Sequence, residues 1–224
     1  MKDIKVKEIE TERLILKIPT MNEQKDLWNI LIDEDVNRLY FPTPDRIFNK
    51  NNLSKDKVED LIEARKIFLE QLNDWERQMP FYEKKIISIN NGDNSNKFTW
   101  SIFLKSGEVI GQMTVQPSEF SDDNPAIRDV GWFISPKYQR KGYASEAAKA
   151  ILDFMFYEVE IDKIITSAAA VNVGSWKIME KLGFEFTYNK PFTYLDEFNN
   201  KVESKCYEVT REKYCRGVNA DEKK

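Results

Sequence analysis

The sequence predicts an α/β fold: one domain with a mixed sheet and helices packed against it. Three observations carry this expectation. Strand-length apolar segments alternate with segments of helical period in the order β-α-α-β-β-β-α-β-α-β-β. Two of the strands, 98–104 and 108–116, are joined by Lys105-Ser106-Gly107, a hairpin signal, so part of the sheet is antiparallel. The segment 126–171 reads as strand–helix–strand, which lays its two strands parallel through a right-handed crossover. No internal repeat or low-complexity linker divides the chain, and 224 residues suffice for one core.

"RLILKI" (13–18) alternates as a strand and is ended by Pro19. Asn22 is the expected cap of a helix over "EQKDLWNILIDE", with Leu27, Ile30 and Leu31 on its buried side. "FPTPDRIFNKNNLS" (41–54) reads as a loop. Ser54 or Asp56 then caps a helix over about 55–77, and no element is assigned to 78–89. "NNGDNSN" (90–96) is a loop before the hairpin, and "PSEFSDDNP" (117–125) separates the hairpin from the strand "AIRDVGWFI" (126–134). A helix opens after Gly142. It is followed by the strand "KIITSAAAV" (163–171), a short helix "VGSWKIMEKL" (173–182), and the strands "FEFTY" (184–188) and "KCYEVTR" (205–211). The domain is read as 1–216, with a tail over 217–224 that frays.

Composition excludes several function classes. Apolar residues make up 41% and charged residues 32%, which suits a soluble globular protein. The net charge of −4 argues against broad nucleic-acid binding, because phosphate backbones need a basic surface. No apolar run reaches membrane-spanning length, and "MKDIKVKEIETERL" has no signal-peptide core, so the reading is cytoplasmic with no membrane partner. Cys206 and Cys215 are the two cysteines, expected as reduced thiols. The chain has no histidine. That removes Ser-His-Asp and Cys-His nucleophile systems and most zinc sites, so no metal is expected. Proton transfer must use carboxylate, Tyr, Lys, Ser or water.

The stretch "SPKYQRKGYASEAAKAILDFMF" (135–156) places two cations and a glycine at the mouth of a helix. Beyond Gly142, residues Ala144, Ala147, Ala148, Ile151, Leu152, Met155 and Phe156 recur at helical spacing. The first turn of a helix carries unpartnered backbone N–H groups at the positive end of the dipole, a natural anion site. Gly142 has no Cβ to block the approach, and Arg140 and Lys141 add mobile charge. A diphosphate fits this better than a carboxylate. Neither a Walker loop nor GxGxxG is present. A basic turn that only leads the chain into its helix is the plain alternative. Roughly thirty residues on, "NVGSWKIMEKLGF" (172–184) reads as a short helix closed by Gly183.

Together these stretches resemble the GNAT (Gcn5-related) N-acetyltransferase family, and within it the branch that holds the ribosomal-protein N-terminal acetyltransferases. "TERLILKIPT" is similar to that branch's opening strand, "EVIGQMTV" to its third strand, and "DVGWFISPKYQRKGYASEA" to its acetyl-CoA motif, Arg/Gln-x-x-Gly-x-Gly/Ala, here Gln139, Gly142 and Ala144. "NVGSWKIMEKLGF" resembles the motif that follows. The resemblance runs over about residues 9–215, specific at 126–184 and thin over the acceptor-side segment 36–97. It implies a single GNAT-like α/β domain with a mixed, mostly antiparallel sheet, a splayed parallel strand pair, and flanking helices. It also implies acetyl-CoA as donor. The pyrophosphate would rest on the amides from Arg140 through Lys141, Gly142 and Tyr143 to Ala144. The pantetheine arm would pair with main-chain groups of Phe133 and Ile134, and Asn172 would bond to it.

The implied reaction is direct transfer of acetyl to a primary amine in a ternary complex. It needs a neutral amine, a polarised thioester carbonyl, and a proton for the thiolate. Asp129 is the candidate base, where the branch often has glutamate. Being shorter, it would act through water or hold a cationic acceptor, and a structural pairing with a neighbour such as Arg128 is the alternative. Ser175 is the candidate proton donor or sulfur partner, or else only a helix cap. The tyrosine that much of the wider family places four residues before the terminal glycine is here Met179. Tyr143 is expected to pack over or cover the phosphates. The acceptor is a small-molecule or peptide amine (amine, amino sugar, aminoglycoside, polyamine or protein N-terminus), lined by aromatics of "RLYFPTP" (38–44) and "KPFTYLDEF" (190–198). Two other readings stand beside it: a GNAT-fold acyl-CoA-binding module without turnover, and a protein binding another diphosphate nucleotide. A monomer or a homodimer is expected.

Overall fold

The computed structural model describes residues 6–40, 45–90, 97–118, 124–195 and 200–221, with side chains over 6–39, 47–88, 97–118, 124–191 and 200–216. The expected loops over 90–96 and 117–125 fall largely outside these residues.

In chain order the elements are β1 (Ile9–Glu10), β2 (Leu14–Lys17), α1 (Gln24–Ile32), α2 (Glu34–Tyr40), α3 (Asp45–Asn51), α4 (Val58–Leu72), α5 (Trp75–Asn90), β3 (Phe98–Leu104), β4 (Val109–Pro117) and β5 (Ile127–Ile134). After a 3₁₀ turn at Pro136–Tyr138 come α6 (Tyr143–Asp153), β6 (Lys163–Ala169), α7 (Val173–Lys181), β7 (Glu185–Leu195), β8 (Lys201–Thr210) and α8 (Arg211–Asp221). The eight strands form one sheet in the order β1-β2-β3-β4-β5-β6-β8-β7. Every neighbouring pair is antiparallel except β5 and β6, as the crossover rule requires.

β5 and β6 pair over only two positions, Ile127↔Lys163 and Arg128↔Ile164. Beyond them the Thr166 hydroxyl donates to the Val130 carbonyl at 2.7 Å, and the ladder goes no further. The sheet is therefore two half-sheets that meet at one end and part at the other. α6 crosses one face, and its side chains Ala147, Ala148, Ile151 and Leu152 pack with Leu14, Trp100, Met113 and Val130 in the main core. At the end of α6 the expected α-helical stripe does not simply continue. Phe154–Glu158 form a π turn, and the wider turn lets the consecutive residues Phe154, Met155 and Phe156 all be buried.

On the other face of the sheet lies a layer of helices. Leu27, Trp28, Leu31, Val36, Ile47, Phe48, Leu61, Phe68 and Leu72 form a second core that takes in Phe133 from β5. Here the structure departs from the sequence reading. The loop expected over 41–54 contains α3. The helix expected to 77 stops at Leu72, with the Asn73 N–H bonded to the Leu69 carbonyl, and the chain restarts as α5, which accommodates Pro80. Neither Ser54 nor Asp56 caps α4. The Asp60 carboxylate in its first turn instead accepts from the Ser54 N–H at 2.8 Å. Nor does Asn22 cap α1. Glu23 precedes that helix, and its carboxylate accepts from the Thr20 N–H and, across the sheet, from the buried Ser101 hydroxyl, both at 2.8 Å. The chain expected to fray from 217 is helical to Asp221.

Candidate functional site

The parting of β5 and β6 opens a cleft of about 360 Å³. It is lined by Phe133 and Ile134 from β5, by Gln139, Arg140, Gly142, Tyr143 and Ala144 from the loop and first turn of α6, and by Asn172 and Ser175 from α7. The structure thus gathers nine residues that the sequence singles out from segments about forty residues apart. Two candidates lie outside the lining: Lys141 and Asp129.

The loop conformation follows from two left-handed residues. Gly142 has φ 84° and stands at the N-cap of α6, and Arg140 has φ 57°. A side chain at 142 would be strained by that backbone, and its Cβ would lie 3.2 Å from Nη2 of Arg13. The Glu146 N–H bonds to the Gly142 carbonyl, which leaves the amides of Tyr143, Ala144 and Ser145 as the free N-terminal donors of the helix. Lys141 is held otherwise. Its ammonium lies 5.2 Å from the Tyr138 ring centre, and its carbonyl accepts from Nη1 of Arg13 at 3.0 Å. Tyr138 in turn donates its hydroxyl to Glu108. This bond, with Lys137, holds the Glu108 carboxyl below the usual carboxylate range.

On β5, ladder alternation decides which main-chain groups face the cleft. The Ser135 N–H donates to the Ile110 carbonyl, and the register is Gly111↔Ile134 and Gln112↔Phe133. The main-chain groups of Phe133 therefore belong to the β4 ladder, and those of Ile134 and Trp132 turn toward the gap. The Phe133 main chain is thus engaged with β4, and its side chain reaches the second core and the cleft wall. The Ile134 carbonyl accepts from Nε2 of Gln139 at 3.0 Å, so Gln139 braces the strand end.

Asn172, not Ser175, caps α7: its Oδ1 accepts from the Ser175 N–H at 3.2 Å. Ser175 is thereby placed in the cleft wall with its hydroxyl outside the capping bond. Met179 is buried in the main core, so the usual tyrosine position offers no phenol here. The cleft also has residues that sequence reasoning missed: Asp35, Val36 and Leu39 of α2, with Trp132, Tyr138, Ser145, Gly174 and Ile178. Trp132, Tyr138 and Ser145 lie inside the stretch 129–147, and Gly174 and Ile178 inside 172–184. Those on α2 carry no local signal, because only the packing of the helical layer brings them in.

Asp129 follows the last parallel pair, at the apex of the wedge, and its side chain shares the helical-layer face with Gly131 and Phe133. Arg128 turns to the opposite face, fully buried, with its guanidinium 5.8 Å from the Phe98 ring centre. The neighbouring cation whose charge acts on Asp129 is Lys97, so a structural pairing stands beside the catalytic reading. Burial pulls Lys97 below the ordinary lysine range, and the nearby Asp129 charge works against that shift. Burial and the Lys97 charge lower Lys85 to about 8. The acceptor-lining expectations fall partly beyond view: 41–44 and 196–199 lie outside the described residues. A second, wider cleft of about 730 Å³ between β2, α1 and the β3–β4 hairpin shares Tyr138 and holds none of the candidate site residues.

The sheet split between two parallel strands, with a glycine-entered helix at the mouth of the split, is the fold that solved GNAT acetyltransferases share with this chain. The acetyltransferase (GNAT) domain matches residues 13–185, and the chain belongs to that family. It is 35% identical over 100 residues to an uncharacterized N-acetyltransferase, YnaD, of Bacillus subtilis, covering 45% of this chain and 56% of that protein. It is 25% identical over 131 residues to the FsC-acetyl coenzyme A-N(2)-transacetylase of Aspergillus fumigatus, covering 53% and 52%. The aligned part spans about half the length of these relatives. Among solved structures, the fold is shared with a ribosomal L7/L12 α-N-protein acetyltransferase in complex with coenzyme A, with TM-score 0.66, 11% identity, and 91% and 98% of the two chains covered. It is also shared with a spermidine N-acetyltransferase from Vibrio cholerae in complex with coenzyme A and spermine, with TM-score 0.64, 14% identity, and 92% and 99% covered. No helix among the described residues is long and apolar enough to cross a membrane. No group of three or more His, Cys, Asp or Glu among them could hold a metal ion.

Proposed function

We propose that the chain is an acetyl-CoA-dependent N-acetyltransferase that passes acetyl directly to a primary amine in a ternary complex. The observation that carries this reading is the meeting, in one cleft, of free α6 amides behind a left-handed Gly142 with the unpaired inner edge of β5. The fit to coenzyme A rests on that cradle, whose left-handed turn at Gly142 a side chain would strain. Tyr143, Ala144 and Ser145 amides, with Arg140, would hold the diphosphate, and the main chain of Trp132 and Ile134 would bond the pantetheine amides as an added strand. Asn172 keeps its side-chain NH₂ for the arm while its oxygen caps α7. Bound acetyl-CoA would supply an activated acyl group on a thiolate leaving group.

The chain's own residues then manage protons and position. Asp129, at the apex, receives the proton of an incoming ammonium through water, or anchors that ammonium by charge. Ser175 donates to the sulfur as the thiolate leaves. The acceptor enters from the helical-layer side, where Asp129 faces. Its class stays open among small amines, amino sugars, aminoglycosides, polyamines and protein N-termini. The work would be done in the cytoplasm.

The test is thiol release from acetyl-CoA across a panel of amines, polyamines, amino sugars and N-terminal peptides, with coenzyme A binding measured by calorimetry. Release with one acceptor class and micromolar binding supports the reading; no binding of coenzyme A removes it. Binding without release on the panel selects the second reading, an acyl-CoA-binding module, which the buried Met179 favours.

A further inference from the structure

The α6 cradle has an unexpected neighbour. Glu146, in the first turn of α6, places a carboxylate beside the amides proposed to hold a diphosphate. An uncompensated anion there opposes the binding of another. Its side chain is mostly buried, 17% exposed, and among the described residues its bonds come from the turn that opens β2. Oε1 accepts from the Thr11 hydroxyl at 2.6 Å and from the Arg13 N–H at 2.9 Å. Oε2 accepts from Nε of Arg13 at 2.6 Å and lies 2.6 Å from its Nη2. The same guanidinium sits 4.6 Å from the Tyr143 ring centre, under Gly142, and its Nη1 bonds the Lys141 carbonyl between the two left-handed residues.

We propose that Arg13 is a positioning residue for the cofactor: its guanidinium cancels the Glu146 charge at the mouth of α6 and so keeps the cradle fit for a diphosphate. The inference rests on the acetyl-CoA reading of this cleft. The geometry separates it from simple bracing. If Arg13 is shortened or made apolar, Glu146 stays in place, because the Thr11 hydroxyl and the backbone N–H of residue 13 still hold Oε1. Outside the cleft lining but in the first turn of α6, the carboxylate then keeps its charge with no guanidinium against it. A brace, by contrast, would be lost whichever partner is removed.

The experiment is calorimetry of coenzyme A on the wild-type chain and on Arg13→Met, Glu146→Gln and the double variant, with melting temperatures as the folding control. Arg13→Met is expected to weaken binding about tenfold, roughly 1.4 kcal/mol. Glu146→Gln should bind at least as tightly as wild type, and the double variant should return to within about threefold of it. Added salt should shrink the Arg13→Met deficit, since screening weakens a charge effect and leaves a packing effect alone. A double variant no better than Arg13→Met, or a Glu146→Gln variant as weak as Arg13→Met, overturns the inference while leaving the cofactor reading intact. A wild-type chain that does not bind coenzyme A overturns both. Should Arg13→Met fail to fold, Arg13→Gln paired with Glu146→Gln gives the same comparison with shorter polar side chains.

Discussion

The two faces of β3, β4 and β5 come from the same strands and serve opposite ends. One face sends Phe98, Trp100, Met113, Val115 and Val130 into the core beneath α6. The other presents Thr99, Ser101, Gln112 and Thr114, all buried, to the helical layer. In register these make polar rows: Thr99↔Thr114↔Gly131, Ser101↔Gln112↔Phe133, and Gln116↔Asp129. Burying polar groups costs stability unless each is bonded, and some are: Ser101 to Glu23, and Thr99 near Thr114 at 3.4 Å. Apolar side chains would have sealed this face more cheaply. The contrast teaches that the α6 face is a scaffold, and that the helical-layer face gives up cohesion to keep polar groups beside Asp129.

The largest expected effect tests the scaffold. A Cβ on Gly111 would lie 2.2 Å from the Phe133 carbonyl, so Gly111→Ala must push β4 from β5. The expected loss is about 3 kcal/mol of unfolding free energy, read from denaturant midpoints. A change under about 1 kcal/mol would show that the strand pair is not rigid there. Next, Gly142→Val combines the strain of a branched residue at φ 84° with a Cβ pressed against the Arg13 guanidinium, so the loop that sets the α6 amides must shift. Coenzyme A affinity should fall about a hundredfold in calorimetry, and an unchanged affinity would place the ligand elsewhere.

The remaining predictions probe the polar face. Asp129→Ala should lower turnover about tenfold, with the deficit concentrated below the acceptor's own pKa, where an ammonium must lose its proton. A pH–rate profile parallel to wild type would leave Asp129 without a proton-transfer role. The smallest effect concerns Lys85. Burial first, and the Lys97 charge second, lower it from 10.5 to about 8. The folded state therefore disfavours its charged form. That cost is complete below pH 8 and is relieved as pH rises from 8 toward 10.5, where the unfolded chain holds the extra proton. Lys85→Met should accordingly stabilise the fold at pH 7 by on the order of 1 kcal/mol, with the gain fading across that window. A gain that does not change with pH would assign the effect to packing alone.

The same division decides what could be read from sequence. Gly142, the α6 stripe and Asn172 announce themselves locally, through backbone freedom, helical period and position after a strand. So the meeting of the α6 and α7 ends in one cleft was legible, down to the parallel strand pair. The Phe154–Glu158 turn was not, because three successive apolar residues look like an overlong stripe until the wider turn is seen. α2, α3 and the break at Asn73 were missed because nothing local distinguishes these segments from loops or from one long helix. Their form is set by the second core. Arg13 escaped notice for a related reason. It reads as the first residue of a strand, and its meaning lies 133 positions away, on Glu146.

The two-rung contact between β5 and β6 has a mechanical consequence. It leaves an unpaired strand edge in the interior of the sheet, where most proteins tolerate one only at the rim. Whatever lies along that edge becomes the missing course of masonry, joining halves otherwise tied at one end by two residue pairs and the Asp162 and Lys163 amides on the Ala126 carbonyl, then by the Thr166 strut and the helices. Amide exchange along β6 and β8 should then slow when the gap is filled, more than exchange in the strands from β1 to β4.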